Sequence, residues 1–134
     1  MPAQTRFCQL CASEEGFGLL GSKPTRLHNP GDLRHSPHSQ HPGDPNAIGE
    51  IDSDDDGWKD FERQAQLWAG RGLTVQQAVY EEAPPGVDGN NSAAYLAYVL
   101  AGLNQNLSAQ GTEAWITADT PLSTALLIPA TPSA

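Results

Sequence analysis

Two segments near the start of the chain carry residue types that could cleave a sugar bond. The first, Glu14–Phe17, should end a helix in carboxylates beside a glycine. The second, Arg26–Arg34, is polar and has Asn29–Asp32 at its centre, where Pro followed by Gly favours a type II turn. A carboxyl group at a helix end, next to a rigid polar turn, could protonate a glycosidic oxygen that the turn holds in place.

Glu15 is the first candidate for that proton donor. The negative end of a helix dipole disfavours a carboxylate, and burial would raise its pKa further and keep it protonated. A carboxyl group that stays protonated near neutral pH is what a general acid for a glycosidic oxygen requires. The competing interpretation is a solvated acid at a helix end.

The turn supplies candidate substrate contacts. The side chain of Asn29 can bond either its own turn or a sugar, and the sequence leaves both alternatives open. Asp32 is the carboxylate of this turn that could serve as a second catalytic group. Bonding to its own backbone is the commoner use of an Asp in a turn, so the sequence places no second acid clearly.

The spacing of cysteines, histidines and aspartates does not favour metal or redox chemistry. Cys8 and Cys11 share a predicted helix, where sulfur mostly serves as a small hydrophobe. Four histidines follow without a recognised zinc spacing: His28, His35, His38 and His41. The segment Asp52–Gly57 begins like a calcium loop, but Arg63 stands where that loop needs a bidentate Glu. We therefore predict a helix start at this segment, and no cofactor or metal.

Apolar periodicity predicts a mainly α domain of about five helices. The clearest helix spans roughly residues 56–70, with Asp54–Asp56 as its cap. One face of it carries Trp58, Phe61, Ala65 and Trp68. The other predicted helices cover residues 5–15, residues 74–82, a segment opened by Asn91 or Ser92, and residues 122–128 after a Thr120-Pro121 start.

A long irregular stretch, residues 16–50, separates the first two of these helices and is rich in Gly and Pro. A loop of this length in a compact domain is usually functional or disordered. Its pieces at 32–34 and 47–51 could pair as a small hairpin. We expect one domain over residues 1–128 and a frayed tail over residues 129–134.

The charge balance limits the partners. Sixteen acidic and seven basic residues give a net charge of −9, which argues against binding nucleic acid or anionic membranes. No run of 18 apolar residues is present, so the sequence predicts no membrane span. The first residues lack an apolar core, so no signal peptide is predicted either. Action on a cell wall would then require delivery in a virion or release from a lysed cell.

Taken in order, these motifs resemble those of the phage and prophage lysozyme-like proteins. The signature of that family runs Glu-Gly-Phe, then Arg-x-Asn-Asn-Pro-Gly-Asn/Asp-Leu. This chain has Glu15–Phe17, Arg26 and Asn29–Leu33 in the same order. Further on, Ala83–Pro85 matches an Ala-Pro-Pro turn of the family, which often has an aromatic residue where this chain has Glu82. The resemblance extends over about residues 10–128 and implies a lysozyme-like fold.

The resemblance also implies an activity, which is cleavage of the β-1,4 bond between N-acetylmuramic acid and N-acetylglucosamine in peptidoglycan. It implies Glu15, or Glu14 in a shifted alignment, as the acid. The substrate-binding residues it implies are Arg26, Asn29, Asp32 and Tyr95, with Tyr95 facing the groove and orienting the acid. Because no second carboxylate is clearly placed, we expect the one-carboxylate mechanism of a lytic transglycosylase rather than that of a muramidase.

Two alternatives remain for a chain with these motifs. Some members of the family are labelled only as virion structural proteins, so an inactive virion or tail protein with a lysozyme-like fold is the first. Such a protein would have other virion proteins as partners. A module that binds peptidoglycan glycan strands without cutting them is the second. The expected location is a phage virion or the cell wall.

Overall fold

The structure is a computed structural model that describes residues 4–40, 48–86, 91–109, 111 and 115–131. In that part of the chain, regular structure consists of α-helices and isolated β-bridges, which confirms the predicted mainly α class. The helices are α1 (Arg6–Glu14), α2 (Lys23–Arg26), α3 (Asp54–Gly70), α4 (Val75–Glu82), α5 (Ser92–Ala109) and α6 (Leu122–Ala125).

The core forms where α1 packs against α5, with α3, α4 and α6 around this pair. Gly102 of α5 allows close approach, because a Cβ at this position would lie 2.4 Å from Cδ2 of Leu10 in α1. Cys8 and Cys11 are buried in the same region as free thiols. Burial raises the pKa of both thiols, so they pack as small hydrophobic groups.

α3 matches the clearest sequence prediction but begins two residues earlier. Its predicted apolar face is buried: Trp58, Phe61, Ala65 and Trp68. The cap differs from the prediction, because the hydroxyl of Ser53 accepts the hydrogen bond from the N–H of Asp56 at 3.2 Å. Asp54–Asp56 instead fill the first turn, where the helix dipole favours negative charge.

The starts of α4 and α5 agree with the sequence prediction, and that of α6 differs from it. Thr74 caps α4 in a reciprocal capping box with Gln77. The side chain of Asn91 caps α5 by accepting from the N–H of Ala94 at 3.1 Å. The start of α6 is a correction, because Pro121 is itself the N-cap residue and the helix ends at Ala125.

The predicted hairpin between residues 32–34 and 47–51 does not form as a pair of strands in the described residues. The N–H of Gly49 donates to the carbonyl of Leu33 at 2.9 Å, and Gln40 and Glu50 form a single antiparallel bridge. The buried side chain of Asn29 forms hydrogen bonds with the backbone of both Leu33 and Gly49. This side chain therefore joins the two segments, which do not form a ladder of backbone hydrogen bonds. Ala47 lies outside the described residues.

The two ends of the described chain are held together. Thr5 and Pro129 form a β-bridge, and the N–H of Ala130 donates to the carbonyl of Gln4 at 3.0 Å. Pro129–Thr131, expected to fray, is therefore tied to the start of α1, while residues 132–134 lie outside the described part. Among the helices described, none is both long enough and apolar enough to cross a membrane.

Candidate active site

The Glu-Gly-Phe motif forms the end of α1. Gly16 adopts the left-handed conformation (φ +92°), and its N–H donates to the carbonyl of Ser13 at 3.1 Å. The N–H of Phe17 donates to the carbonyl of Ala12 at 2.9 Å, which completes a Schellman motif. Glu15 is the C-cap residue, so its side chain leaves the helix at the negative end of the dipole.

The segment after Glu15 is anchored on both sides. The ring of Phe17 meets Trp58 of α3 edge to face, with 5.4 Å between ring centroids. The hydroxyl of Ser22, which caps α2, donates to the carbonyl of Gly16 at 2.8 Å. These contacts fix the direction in which Glu15 leaves the helix.

The turn at Asn29–Asp32 is held by a buried side chain. The Nδ2 of Asn29 donates to the carbonyls of Leu33 and Gly49, each at 2.8 Å, and its Oδ1 accepts from the N–H of Leu33 at 2.9 Å. Asn29 has no exposed surface. Of the two alternatives for Asn29, the structure therefore shows the turn-holding one.

The predicted type II turn is also corrected, because Gly31 does not have the positive φ that this turn type needs. A glycine is required at this position for space, since a Cβ would lie 2.6 Å from the ring of Phe61. The positive φ falls on the next residue, Asp32, at +55°. The chain therefore changes direction at Asp32, directly after Gly31 has contacted α3.

Glu15 and Asp32 line a cleft of about 590 Å³ together with Glu82. The three carboxyl groups come from three separate elements: the end of α1, the turn and the last residue of α4. α3 adds Trp68 and Gln64 to the lining. The cleft thus brings together carboxyl groups that lie far apart in the sequence.

Burial raises the pKa of Glu15 to about 7. The charge of Asp32, the charge of Glu14 and a hydrogen bond between the carboxyl groups of Glu15 and Asp32 act in the same direction. A hydrogen bond from Tyr95 opposes the rise, because a donor stabilises the carboxylate. A carboxyl group with a pKa near 7 is protonated often enough to donate at neutral pH and acidic enough to do so readily.

Glu82 is a functional candidate that appears only in the structure. Burial raises its pKa well above the ordinary value, and the charges of Glu15 and Asp32 add to the rise. Its Oε1 is buried and has no hydrogen-bond partner among the described residues. The sequence feature that could have indicated Glu82 is a difference from the family that the motifs resemble, which often has an aromatic residue at this position.

The remaining sequence candidates lie around this cleft rather than in it. Tyr95 is 5% exposed, so it contacts the acid from the core instead of facing the groove, and its hydroxyl donates to the carbonyl of Cys11 at 3.1 Å. Arg26 is exposed and its Nε donates to the carbonyl of Gly21 at 2.9 Å. Glu14 is exposed and is not part of the cleft lining.

Ser36, His38 and Asp60 have the residue types of a catalytic triad but not its geometry. The buried carboxylate of Asp60 accepts from the hydroxyl of Ser36 at 2.6 Å and from both the N–H and the Nδ1 of His38. A triad needs the serine bonded to the imidazole. The group instead fastens the loop to α3, and these bonds to Asp60 raise the pKa of His38. His41 lies outside the described residues.

The cleft combines a carboxyl group with a pKa near 7, a second carboxyl group whose charge raises that pKa, and space for a ligand. Such a set can protonate a leaving oxygen and later take back a proton. In the described residues, no group of three or more His, Cys, Asp or Glu side chains is arranged to hold a metal ion. Comparisons with protein-family models, curated proteins and solved structures find no match to this chain.

Proposed function

We propose that the protein cleaves peptidoglycan glycan strands at the β-1,4 bond between N-acetylmuramic acid and N-acetylglucosamine, with Glu15 as the general acid. The observation that carries the proposal is the pKa of Glu15, near 7, in a cleft open to a ligand. The order of the motifs, from Glu15–Phe17 to Asn29–Leu33, supports this substrate over other glycans through its resemblance to lysozyme-like proteins.

The effect of Asp32 on the pKa of Glu15 favours the one-carboxylate mechanism. In hydrolases the two carboxyl groups stand roughly 5 to 9.5 Å apart, on either side of the bond they cleave. We place Asp32 beside Glu15, where its charge raises the pKa of the acid, and not across a sugar from it. Asp32 is better suited to sharing and aiming the proton of Glu15, as paired carboxyl groups do elsewhere.

The reaction then proceeds as a lytic transglycosylation. The proton of Glu15 passes to the glycosidic oxygen, and the bond between that oxygen and C1 of the muramyl residue breaks. The 6-hydroxyl oxygen of the same residue forms a new bond to C1. The hydroxyl proton returns to the carboxylate of Glu15, which regenerates the acid for another cycle. The reaction consumes neither water nor a cofactor.

Turnover of purified peptidoglycan tests the proposal. The wild-type protein should clear a suspension of cell walls and release soluble muropeptides. Sedimentation with the walls but no release would instead identify a glycan-binding module. If the protein neither cuts nor binds, the inactive virion-protein alternative would hold, and assembly with other virion proteins would be the next measurement.

A further inference from the structure

Glu82 occupies a position where the fold itself does not require a carboxyl group. It is the last residue of α4, and the helix end is already fixed, because the carbonyl of Ala83 accepts a hydrogen bond from Ser92. The Oε1 of Glu82 is buried without a hydrogen-bond partner in the described residues. An unpartnered buried polar atom destabilises the folded state, so a nonpolar side chain of similar size would suit the fold better.

The surroundings of Glu82 are acidic or weakly acidic. Glu15 and Cys11 approach from α1, Asp32 from the turn and Tyr95 from α5. Glu81, its neighbour on α4, is exposed and forms an ion pair with Arg71 at 3.6 Å. The basic side chains that line the same cleft are Arg34 and His35, both of them exposed. Burial among these groups raises the pKa of Glu82 and favours its neutral form, and its Oε1 has no hydrogen-bond partner among the described residues.

We propose that Glu82 is a positioning residue for Glu15. After Glu15 has given up its proton, the neutral carboxyl group of Glu82 donates a hydrogen bond to the Glu15 carboxylate. This inference rests on the proposed role of Glu15 as the acid. When the proton of Glu15 passes to the leaving oxygen, the cleft holds the new carboxylate of Glu15 near the charge of Asp32. The hydroxyl of Tyr95 has one proton, which it also donates to the carbonyl of Cys11 at 3.1 Å. Glu82 then supplies a further donor for the new charge from within the same cleft.

A donor used only after proton transfer should act on turnover and not on substrate affinity. Glu82→Met removes the donor and keeps similar volume, so kcat should fall about tenfold with KM unchanged. Glu82→Gln keeps an N–H donor and should restore kcat to within about twofold of wild type. Asp119→Asn, which removes an exposed carboxylate outside the cleft lining, is the control and should leave kcat unchanged.

A second measurement does not depend on activity. The carboxyl carbon of Glu15 can be titrated by ¹³C NMR in wild type, Glu82→Met and Glu82→Gln. Loss of a donor to the carboxylate should raise the Glu15 midpoint in Glu82→Met by roughly half a pH unit or more, with Glu82→Gln close to wild type. Glu82→Met should also melt at a higher temperature than wild type at pH 7, because the unpartnered atom is gone.

Either of two results would overturn the proposal. One is a ¹³C chemical shift showing that the Glu82 carboxyl group is already ionised at pH 7 in the wild-type protein. The other is a Glu82→Met variant with the wild-type Glu15 midpoint. If Glu82→Met does not fold, titration of the wild-type protein still shows whether Glu82 is ionised at pH 7. If the wild-type protein cuts no peptidoglycan, the proposed function fails, while the titrations still decide whether Glu82 donates to Glu15.

Discussion

Glu15 and Asp32 line the same cleft, although one ends a helix and the other follows a turn in the left-handed conformation, and the charge of Asp32 helps to raise the pKa of Glu15. When two carboxyl groups lie near each other, the charge of one disfavours ionisation of the other, so one of them keeps its proton to a higher pH. Burial selects Glu15 for the proton, since desolvation is the largest cause of its raised pKa. The pairing therefore gives Glu15 a proton to donate at neutral pH.

The role of Asp32 can be tested with Asp32→Asn. Removing its charge and its carboxyl contact should lower the pKa of Glu15, while burial keeps that pKa above 4.5. The alkaline limb of the activity profile should then move to lower pH, with measurable activity retained near pH 5. Mass spectrometry of the digest should show 1,6-anhydromuramyl products from both proteins. Muropeptides with a reducing-end muramic acid, together with an inactive Asp32→Asn, would instead indicate a two-carboxylate muramidase.

Stability should decrease as pH rises through neutrality. The pKa values of Glu15 and Glu82 are raised by burial, so each group binds its proton more tightly in the folded state. Their contribution is fully present below their unfolded pKa, near 4.5, and for Glu15 is lost as pH approaches 7. The melting temperature should fall by roughly 3 to 8 °C between pH 5 and pH 8.

A variant can assign part of this pH dependence to Glu82. Glu82→Gln cannot ionise, so its melting temperature should fall less steeply with pH than that of wild type. Glu81→Gln removes an exposed acid on the same helix and should keep the wild-type slope. Equal slopes for all three proteins would contradict the buried neutral state of Glu82.

Two glycines of α3 offer a matched test of how the turn is positioned. A Cβ at Gly57 would lie 2.1 Å from the carbonyl oxygen of His28 and 2.8 Å from Cδ of Pro30. Gly57→Ala should therefore destabilise the fold by about 1 to 3 kcal/mol and displace the turn that carries Asp32. Gly70→Ala meets no atom within 4 Å and should leave stability equal or slightly higher. Chemical denaturation compares them, and equal midpoints would show that the turn does not depend on this contact.

Calcium should not stabilise the protein. The segment that begins like a calcium loop forms the cap and first turn of α3, and Asp54 in that turn pairs with His28 at 2.7 Å. The melting temperature should differ by less than about 1 °C between millimolar calcium and excess chelator, since only a ligand of the native state shifts it. A rise of several degrees with calcium would contradict the helix-cap assignment.

What the sequence could predict was mostly local. The periodic apolar residues of α3 and the Gly16 that ends α1 act within one or two helical turns, so their roles were visible in the sequence. α2 was missed because a four-residue helix is too short to show periodicity. The cap of α3 was misplaced because Ser53 and the aspartates after it are all good capping residues.

The parts of the site that the sequence could not predict depend on contacts between distant segments. The sequence does not distinguish the two roles of Asn29, because its hydrogen-bond partner Gly49 lies at the far end of the long loop. Gly31 suggested a turn type, whereas the close approach of Phe61 explains the glycine. Glu82 was not selected because nothing in the local sequence shows that α4 ends beside Glu15. The carboxyl cluster is a product of tertiary structure.

In the proposed reaction Glu15 donates the proton, and its exposed neighbour Glu14 provides the matched control. Both Glu15→Gln and Glu14→Gln should give the wild-type circular dichroism spectrum, and Glu15→Gln should melt at an equal or higher temperature at pH 7. Release of soluble muropeptides from purified peptidoglycan should fall at least about a thousandfold in Glu15→Gln and less than about twofold in Glu14→Gln. A Glu15→Gln variant that releases muropeptides at the wild-type rate, or an inactive Glu14→Gln beside it, would contradict the account.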